Sequence, residues 1–474
     1  MFIGVYPVAE RKLITGPTFE EMLHPQLIDP ATRAKAHEAR TSAPLDAINL
    51  FNISWRDVNN QIYYFVLPPS LTGIETPIVV MYGLNFPSGS HKVGATYSVL
   101  IEKELFGDVD PWKHTLIWPS TGNYGIGGAY VAGRMGVKSI VVLPEEMSKE
   151  RFEKIEAYGA TVIKTVGSES NVKEIYDKVK ELMASSPDRR SMNQFEVMGN
   201  YRFHYYVTGN TAIDLARELA GQGIGTGKVS AYVSAMGSAG TIAAGDRLKQ
   251  EWHDHKIVGL EPIQCPTLAL NGYGAHDIQG IGDKHVTWIH NVLNMDAVMC
   301  IDDIDCKLGL QLFAEDAGCD ALVNRFGMEP GFVEKLSHAL GISGICNIYG
   351  AIKTAKYYGF GKDDLVVTIA TDGMDRYPSV MDAMRRTYGA VDEVETVVRV
   401  RSLFHGLKTD WVFPGTPDNR QRWHHLKYYT WVEQQGKTVE ELEAQRDPAW
   451  WEHEQQIVKD VDEKLLAFRK TGKL

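Results

Sequence analysis

Lys92 is the residue of this chain whose type and surroundings most directly suggest chemistry. It lies in the segment NFPSGSHKVGA (residues 85–95), where small and uncharged residues surround one lysine. A lysine removed from water is favoured as the neutral amine. Such an amine can attack a carbonyl carbon and form a Schiff base. The alternative interpretation is an ordinary solvated or structural lysine in a glycine-rich turn.

Two further segments have the composition of anion-binding loops. The segment STGNYG (residues 120–125) follows an apolar run and precedes a helical pattern. The segment AMGSAGT (residues 235–241) likewise lies between an apolar run and a helical pattern. Backbone N–H groups at such strand-to-helix junctions bind phosphates and carboxylates. Each loop taken alone also fits an ordinary tight turn.

The elements that would position these segments alternate along the chain. Several predicted strands are continuous apolar runs, a pattern typical of parallel strands covered on both faces. Helical patterns between them indicate βαβ units. We also predict strands over 62–67 and 76–81 and a helix near residues 30–40. The predicted strands of the alternating region are 115–119, 139–143, 161–165, 229–234, 256–260, 297–301 and 365–370.

Composition narrows the class of protein. With 474 residues the chain is too long for one simple core, so two domains with appendages are expected. A net charge of −11 argues against a nucleic-acid or anionic-membrane partner. We predict no signal peptide and no membrane span. Five cysteines without a C-x-x-C pair favour a reducing cytoplasm, and metal-ligand spacing is absent.

The ordered motifs together resemble the fold type II family of pyridoxal-phosphate enzymes, within the tryptophan synthase β superfamily. The branch they resemble is that of cysteine synthase and cystathionine β-synthase. The resemblance covers roughly residues 70 to 380. Besides the three segments above and the helix that starts near Arg151, the matching segments are NQFE (193–196), HYYVTG (204–209), GLEP (259–262), QGIG (279–282) and GISG (341–344).

The resemblance implies a cofactor, pyridoxal 5′-phosphate, and a role for each matching residue. It makes Lys92 the Schiff-base lysine and the base that moves the Cα proton. It implies that the Asn123 amide hydrogen-bonds the cofactor ring hydroxyl and that Ser343 faces the ring nitrogen. The implied phosphate loop is Gly237, Ser238, Ala239, Gly240 and Thr241. The implied substrate-binding residues are Ser120, Thr121, Gly122, Tyr124 and Gln194.

Ser343 bears on the reaction that the resemblance implies. A serine, unlike an aspartate, leaves the ring nitrogen neutral and makes the ring a weaker electron sink. Loss of a β leaving group in near concert with Cα–H cleavage is then favoured, through an aminoacrylate intermediate. Hydrolysis of that intermediate makes the enzyme a lyase, and its capture by a nucleophile makes it a β-replacing synthase.

Four departures from the family pattern affect the expected site. Ala239 replaces a glycine, which disfavours a positive φ but leaves the N–H donors intact. Val93 and Gly94 replace the Asp-Arg of cysteine synthases, and Tyr124 replaces a threonine. His91 before the lysine resembles the tryptophan synthase β pattern; it has either a site role or a hydrogen-bonded place in the core. We therefore expect a substrate other than plain O-acetylserine.

The resemblance also implies an α/β fold with two three-layer α/β/α domains of mostly parallel sheet. We assign residues 1–83 and 201–395 to a large cofactor-binding domain and 84–200 to a small mobile substrate domain. Residues 396–474 form a helical, Trp-rich C-terminal extension, with a capping box predicted at Thr438. That extension either packs on its own core, covers the active-site mouth, packs a dimer or binds a partner subunit.

Three hypotheses about function follow. The first is a pyridoxal-phosphate-dependent lyase or β-replacing enzyme acting on a small α-amino acid, as a cytoplasmic homodimer. The second is the β subunit of a 2-amino-4-oxopentanoate thiolase, which uses coenzyme A in ornithine degradation and has a small partner subunit. The third is a subunit of this fold that has lost catalysis; the retained Lys92, Asn123, Thr241 and Ser343 argue against it.

Overall fold

The computed structural model describes residues 16–120, 122–168 and 171–472. Its strands are β1 Tyr64–Leu67, β2 Ile78–Tyr82, β3 Thr115–Pro119, β4 Lys138–Pro144, β5 Thr161–Thr165, β6 Arg189–Ser191, β7 Ala231–Ala235, β8 Lys256–Pro262, β9 Ala297–Ile301, β10 Val366–Ala370 and β11 Val412–Pro414. Its helices are α1 Phe19–Leu23, α2 Pro30–Ser42, α3 Pro69–Thr72, α4 Lys92–Leu105, α5 Asn123–Arg134, α6 Lys149–Ala157, α7 Val172–Ala184, α8 Met198–Arg202, α9 Gly209–Gly221, α10 Ala244–Glu251, α11 Thr267–Leu270, α12 Asp303–Ala314, α13 Asp316–Phe326, α14 Pro330–Ala339, α15 Ile342–Tyr358, α16 Pro378–Tyr388, α17 Glu393–Arg399, α18 Pro417–Lys427, α19 Val439–Ala444 and α20 Pro448–Thr471.

The larger of two sheets has the strand order β1-β2-β10-β7-β8-β9-β11. The five central strands run parallel, whereas β1 and β11 pair antiparallel at the two edges. Strands β7, β9 and β10 are buried along their whole length. A strand can be fully buried only if other elements pack on both faces of the sheet. The continuous apolar runs in the sequence predicted this arrangement.

The smaller sheet has the order β5-β4-β3-β6, and all its pairs are parallel. Helices α5 and α7 lie against it, and α4 packs along α5. The predicted mixed α/β fold with parallel sheets is confirmed. The seven strands predicted in the alternating region are present, with bounds shifted by at most two residues. The sequence did not predict β6 and β11, because each is a short, half-buried edge strand without an apolar run.

The C-terminal extension packs on the body of the molecule. Trp423, Trp431 and Trp451 are buried, whereas Trp411 is 37% exposed. Helix α20 is tied to the first described helix, because the Asp462 carboxylate accepts hydrogen bonds from the backbone N–H groups of Phe19 and Glu20 at 2.7 and 3.1 Å. The described part of the extension packs on its own core, which is one of the four expected roles, and the other three stay predictions.

Two helix starts in the structure differ in their side-chain caps. Thr438 and Glu441 form the predicted capping box at α19. Ser148 does precede α6, but its hydroxyl makes no capping bond and lacks a hydrogen-bond partner among the described residues. Ser148 is thus the N-cap residue of α6 by position, without a side-chain capping bond. Over the same described ranges, none of the helices is both long enough and apolar enough to cross a bilayer.

Candidate functional site

Lys92 is the first residue of α4 and lies where β2 leads into that helix through the loop of residues 83–91. Its side chain is buried, with 8% of the residue exposed. Its Nζ donates a hydrogen bond to Ser238 Oγ at 3.3 Å. The lysine and the predicted phosphate loop, distant in sequence, thus meet in the interior.

The predicted phosphate loop connects β7 to a short 3-10 turn and then α10. Ala239 adopts a φ of +60°, so the alanine takes the left-handed conformation that it disfavours. Gly240 has no such strain, but a Cβ added there would lie 2.1 Å from Asn200 Oδ1. The loop backbone therefore lies so close to Asn200 that only glycine fits at position 240.

Two residues that sequence reasoning missed hold this loop. Asn200 Nδ2 donates to Ser238 Oγ at 2.9 Å and to the Gln194 carbonyl at 3.0 Å. Thr287 Oγ1 donates to the Ser238 carbonyl at 2.9 Å. Asn200 thereby connects the phosphate loop to the segment that carries Gln194, whose own Nε2 donates to the Pro119 carbonyl at 3.4 Å.

The predicted carboxylate loop lies at the N-terminus of α5. Ser120 Oγ accepts from the backbone N–H groups of Gly122 and Gly125 at 2.9 and 2.7 Å, so its hydroxyl shapes the loop. Tyr124 packs its ring edge-on against Trp118 at 5.6 Å between centroids. The Tyr124 hydroxyl is buried without a hydrogen-bond partner among the described residues. Thr121 lies outside the described residues.

A buried polar network joins this loop to the end of the large sheet. Asn123 Nδ2 donates to Asp372 Oδ2 at 2.6 Å. Arg151, on α6, donates to the same carboxylate oxygen at 3.4 Å and to the Tyr377 hydroxyl at 3.0 Å. Its Nε donates to Gln279 Oε1 at 3.2 Å. The network holds the two sheets together beside the predicted cofactor site.

The buried atoms left without partners test whether the predicted cofactor fits. Asn123 Oδ1 and Ser343 Oγ are both buried and make no hydrogen bond within the described ranges. Unsatisfied buried polar atoms are costly, so they are expected where a ligand completes the site. Asn123 and Ser343 are two of the residues that the resemblance places at the cofactor ring, and Lys92 lies beside the phosphate loop. The residues present therefore fit pyridoxal phosphate.

Asp283 is a second buried ionisable group near the lysine that sequence reasoning did not single out. It directly follows the QGIG segment, and its Oδ2 would lie 3.8 Å from a Cβ added at Gly237. Burial raises the pKa of the Asp283 carboxyl to about 7, although the charge of Lys92 acts in the opposite direction. The Asp283 charge also contributes to raising the pKa of Tyr176 and of the Cys265 thiol, although burial is the larger cause for both. Its position in QGIGD was the only sequence signal available.

His91 lies in the core behind the lysine. Its ring packs on Trp55 at 5.4 Å and edge-on to His204 at 4.9 Å. Burial, with a smaller contribution from Lys92, holds the pKa of His91 well below its ordinary value, and burial does the same for the pKa of His204. The lysine thus adjoins two imidazoles that are neutral at physiological pH. Neither ring nitrogen of His91 has a hydrogen-bond partner among the described residues.

Metal chemistry has no support in the part of the chain that the structure describes. No group of three or more His, Cys, Asp or Glu side chains there could hold a metal ion. The five cysteines are free thiols.

Comparisons with known proteins agree with the predicted family. A family model described as "Pyridoxal-phosphate dependent enzyme" matches residues 72–321. A cysteine synthase of Staphylococcus aureus is 32% identical over 294 residues, which cover 62% of this chain and 84% of that protein. A probable cysteine synthase of Bacillus subtilis is 33% identical over 294 residues, or 62% of this chain and 85% of that protein.

The fold is similar to solved structures as well. O-acetyl serine sulfhydrylase isoform 3 of Entamoeba histolytica superposes with a TM-score of 0.58 at 25% identity, covering 72% of this chain and 92% of that one. The family match and these relatives confirm three predictions: the type II fold, pyridoxal phosphate as the cofactor, and a lyase or β-replacing enzyme class. This chain belongs to the family of pyridoxal-phosphate-dependent enzymes.

Proposed function

We propose that this enzyme catalyses β-elimination or β-replacement on a small α-amino acid, with Lys92 as the Schiff-base residue. The observation that carries the proposal is the contact between buried Lys92 and Ser238, beside the unsatisfied polar atoms of Asn123 and Ser343. The chemistry supplied by pyridoxal phosphate when bound is electron withdrawal from the substrate α-carbon.

The residues that would hold the cofactor divide into three groups. Lys92 would supply the covalent link, and the backbone N–H groups of Gly237 to Thr241 would bind the phosphate. Asn123 would donate to the ring hydroxyl, for which its amide must leave Asp372 or share it. Ser343 would meet the ring nitrogen with a neutral hydroxyl, which supports β chemistry over long-lived charge on the ring.

The remaining residues would act on the substrate. The loop Ser120 to Tyr124, with Gln194, would receive the α-carboxylate. Lys92 Nζ would take the Cα proton while the leaving group departs from Cβ with its bonding electron pair. In replacement a nucleophile then adds at Cβ and a proton returns to Cα. Asp283, which titrates near neutrality, would exchange a proton with the leaving group or the incoming nucleophile.

The altered flank of the lysine has a packing explanation. A Cβ added at Gly94 would lie 2.1 Å from the Phe203 ring, so the site of the family arginine is filled by an aromatic side chain. Tyr124, also changed, lies at the carboxylate loop itself. These two differences support a substrate other than plain O-acetylserine.

We also propose the finer features that the resemblance implies. Residues 84–200, which contain the whole smaller sheet, would move as a substrate domain against residues 1–83 and 201–395. The enzyme would act in the cytoplasm as a homodimer. A small partner subunit remains part of the thiolase alternative only.

The experiment is an absorption titration of the purified holoenzyme. The panel is serine, threonine, cysteine, O-acetylserine, O-phosphoserine and 2-amino-4-oxopentanoate, each with and without a thiol. We expect a β-substituted amino acid to shift the visible cofactor band and to be turned over. Lys92→Ala should lose both responses, and Lys362→Ala, at an exposed position, should keep them.

Two results would overturn the proposal. If Lys92→Ala kept the wild-type band and full turnover, the lysine would not carry the cofactor. If only 2-amino-4-oxopentanoate responded, and turnover required coenzyme A and a second subunit, the thiolase hypothesis would replace β chemistry.

A further inference from the structure

We propose that the C-terminal extension positions the cofactor loop and the substrate segment, and that buried Lys427 is its principal positioning residue. The inference rests on the proposed function only in so far as residues 237–241 bind the cofactor phosphate. It concerns residues beyond the segment 72–321 that the family model matches.

Lys427 ends α18 and is completely buried. Its Nζ donates to the carbonyls of Trp288 and His290 at 3.0 and 2.6 Å and to Gln445 Oε1 at 2.6 Å. These acceptors match the three N–H donors of an ammonium group. Within the described ranges Lys427 has no carboxylate at ion-pair distance. Its ammonium group therefore donates to neutral acceptors only, and two of these are backbone carbonyls.

Burial of this cation is costly, and the contacts must offset that cost. Burial lowers the pKa of Lys427 well below its ordinary value. The Trp451 ring, 5.6 Å from Nζ, adds a cation–π contact. An apolar residue would fill the same space without this cost but would remove one donor from each carbonyl. The Trp288 carbonyl would keep only Gln445 Nε2, at 3.2 Å, and the His290 carbonyl only the Val292 N–H, at 2.9 Å, among the described residues. The lysine is therefore suited to holding the backbone of residues 288–290 in place.

The segment that Lys427 holds touches both predicted binding elements. Thr287 Oγ1 donates to the Ser238 carbonyl in the phosphate loop at 2.9 Å. The Trp288 backbone N–H donates to the Phe195 carbonyl at 2.9 Å, next to Gln194. One short segment thus lies between the extension on one side and the cofactor and substrate elements on the other.

A second set of contacts fixes the same segment from the extension. Trp431 Nε1 donates to the Val286 carbonyl at 2.9 Å, and Gln445 Nε2 donates to the Trp288 carbonyl at 3.2 Å. The Trp431 ring also lies 6.2 Å from Tyr176, on α7, and 6.1 Å from His285. The extension therefore contacts the smaller-sheet region as well as the loop.

The test compares two buried lysines. Lys427→Met removes the donor to residues 288–290. Lys353→Met is the matched control: Lys353 is also buried and donates to a carbonyl, that of Cys300 at 3.1 Å, and to Asp410 in the extension, but not to the site segment. Each holoenzyme is stripped of cofactor and titrated with pyridoxal phosphate, and its thermal midpoint is recorded with and without the cofactor.

We expect Lys427→Met to weaken pyridoxal phosphate binding at least tenfold and to raise KM more than it lowers kcat. Lys353→Met should lower the thermal midpoint without changing cofactor affinity. Equal cofactor affinity in both variants and the wild type would overturn the proposal and leave the extension a purely structural element. Because cofactor affinity is measured without substrate, this result is independent of which reaction the enzyme catalyses.

A second pair of variants covers the case in which Lys427→Met does not fold. Thr287→Val keeps the side-chain shape and removes the hydrogen bond to the Ser238 carbonyl. That bond is the contact between the segment of residues 286–290 and the phosphate loop. Trp431→Phe keeps an aromatic ring and removes the donor to Val286. Each should weaken cofactor binding several-fold; wild-type affinity in both would also overturn the proposal.

Discussion

Asp283 is a carboxylic acid enclosed beside a lysine and without a hydrogen bond to its Oδ2 from any described residue. Since burial raises its pKa to about 7, the group changes charge within the physiological range. A group that titrates there can serve as an acid or a base without a large energetic mismatch. The raised pKa also means that the ionised Asp283 carboxylate lowers the free energy of unfolding.

Asp283→Asn tests both consequences. We expect the variant to lose the limb of the kcat/KM pH profile that titrates near pH 7. The folded pKa lies above the unfolded value, so the wild type loses stability as pH rises from about 4 to about 7. The variant should therefore gain thermal midpoint relative to the wild type at pH 8.5 and gain less at pH 5.

The control for this prediction is Asp363→Asn, at an exposed position. It should leave both the pH profile and the pH dependence of stability unchanged. A limb near pH 7 that persists in Asp283→Asn would assign that titration to another group.

Helix α4 has its position set by a close approach between its first turn and Phe203. Because a Cβ at Gly94 would lie 2.1 Å from the Phe203 ring, Gly94→Ala must displace either the ring or the helix that begins with Lys92. Overpacking of this kind costs about 1–3 kcal/mol, which exceeds the helix-propensity gain of about 1 kcal/mol. We expect lower stability and a weaker cofactor band, measured by urea unfolding and by absorption.

Two further variants check the origin of that effect. Phe203→Leu in the Gly94→Ala background should restore part of the loss. Gly221→Ala, where an added Cβ meets nothing within 4 Å, should be neutral or stabilising. If Gly94→Ala behaves like Gly221→Ala, the packing of Phe203 does not constrain α4.

The elements were predictable to different extents for physical reasons. Buried strands such as β3 and β9 are predictable because they are apolar runs in the sequence. The capping box at Thr438 is predictable because its two residues are only three positions apart. The partners of the site are not local. Asn123 meets Asp372 across 249 positions, and Asn200 meets Ser238 across 38. Neither pairing leaves a periodic or adjacent pattern, so Asn200, Thr287 and Asp372 were found only from the structure.

At the scale of the whole molecule, a buried ion network centred on Arg202 connects three helices that are distant in sequence. Its Nη1 contacts Glu102, on α4, at 2.5 Å, and its Nη2 contacts Glu454, on α20. The three side chains are at most 16% exposed. The helix that begins with Lys92 is thereby connected to the last helix of the extension through α8.

Glu454→Gln should weaken this connection. We expect a loss of about 1.5–3 kcal/mol in the free energy of unfolding, because a charged hydrogen bond in a buried site is removed. Asp177→Asn, which breaks the exposed pair with Lys173, should cost about 0–1 kcal/mol. Equal losses measured by urea unfolding would show that the Arg202 network contributes no more than a surface pair.

Strand β11 has a consequence for how copies of this protein behave in solution. It comes from the C-terminal extension and covers the outer side of β9, which is buried along its length. An uncovered strand of that composition is a template on which other chains add and polymerise. The covering strand is three residues long and ends in Pro414, which has no N–H to offer a further strand. The extension therefore also protects the enzyme from edge-to-edge aggregation at high concentration.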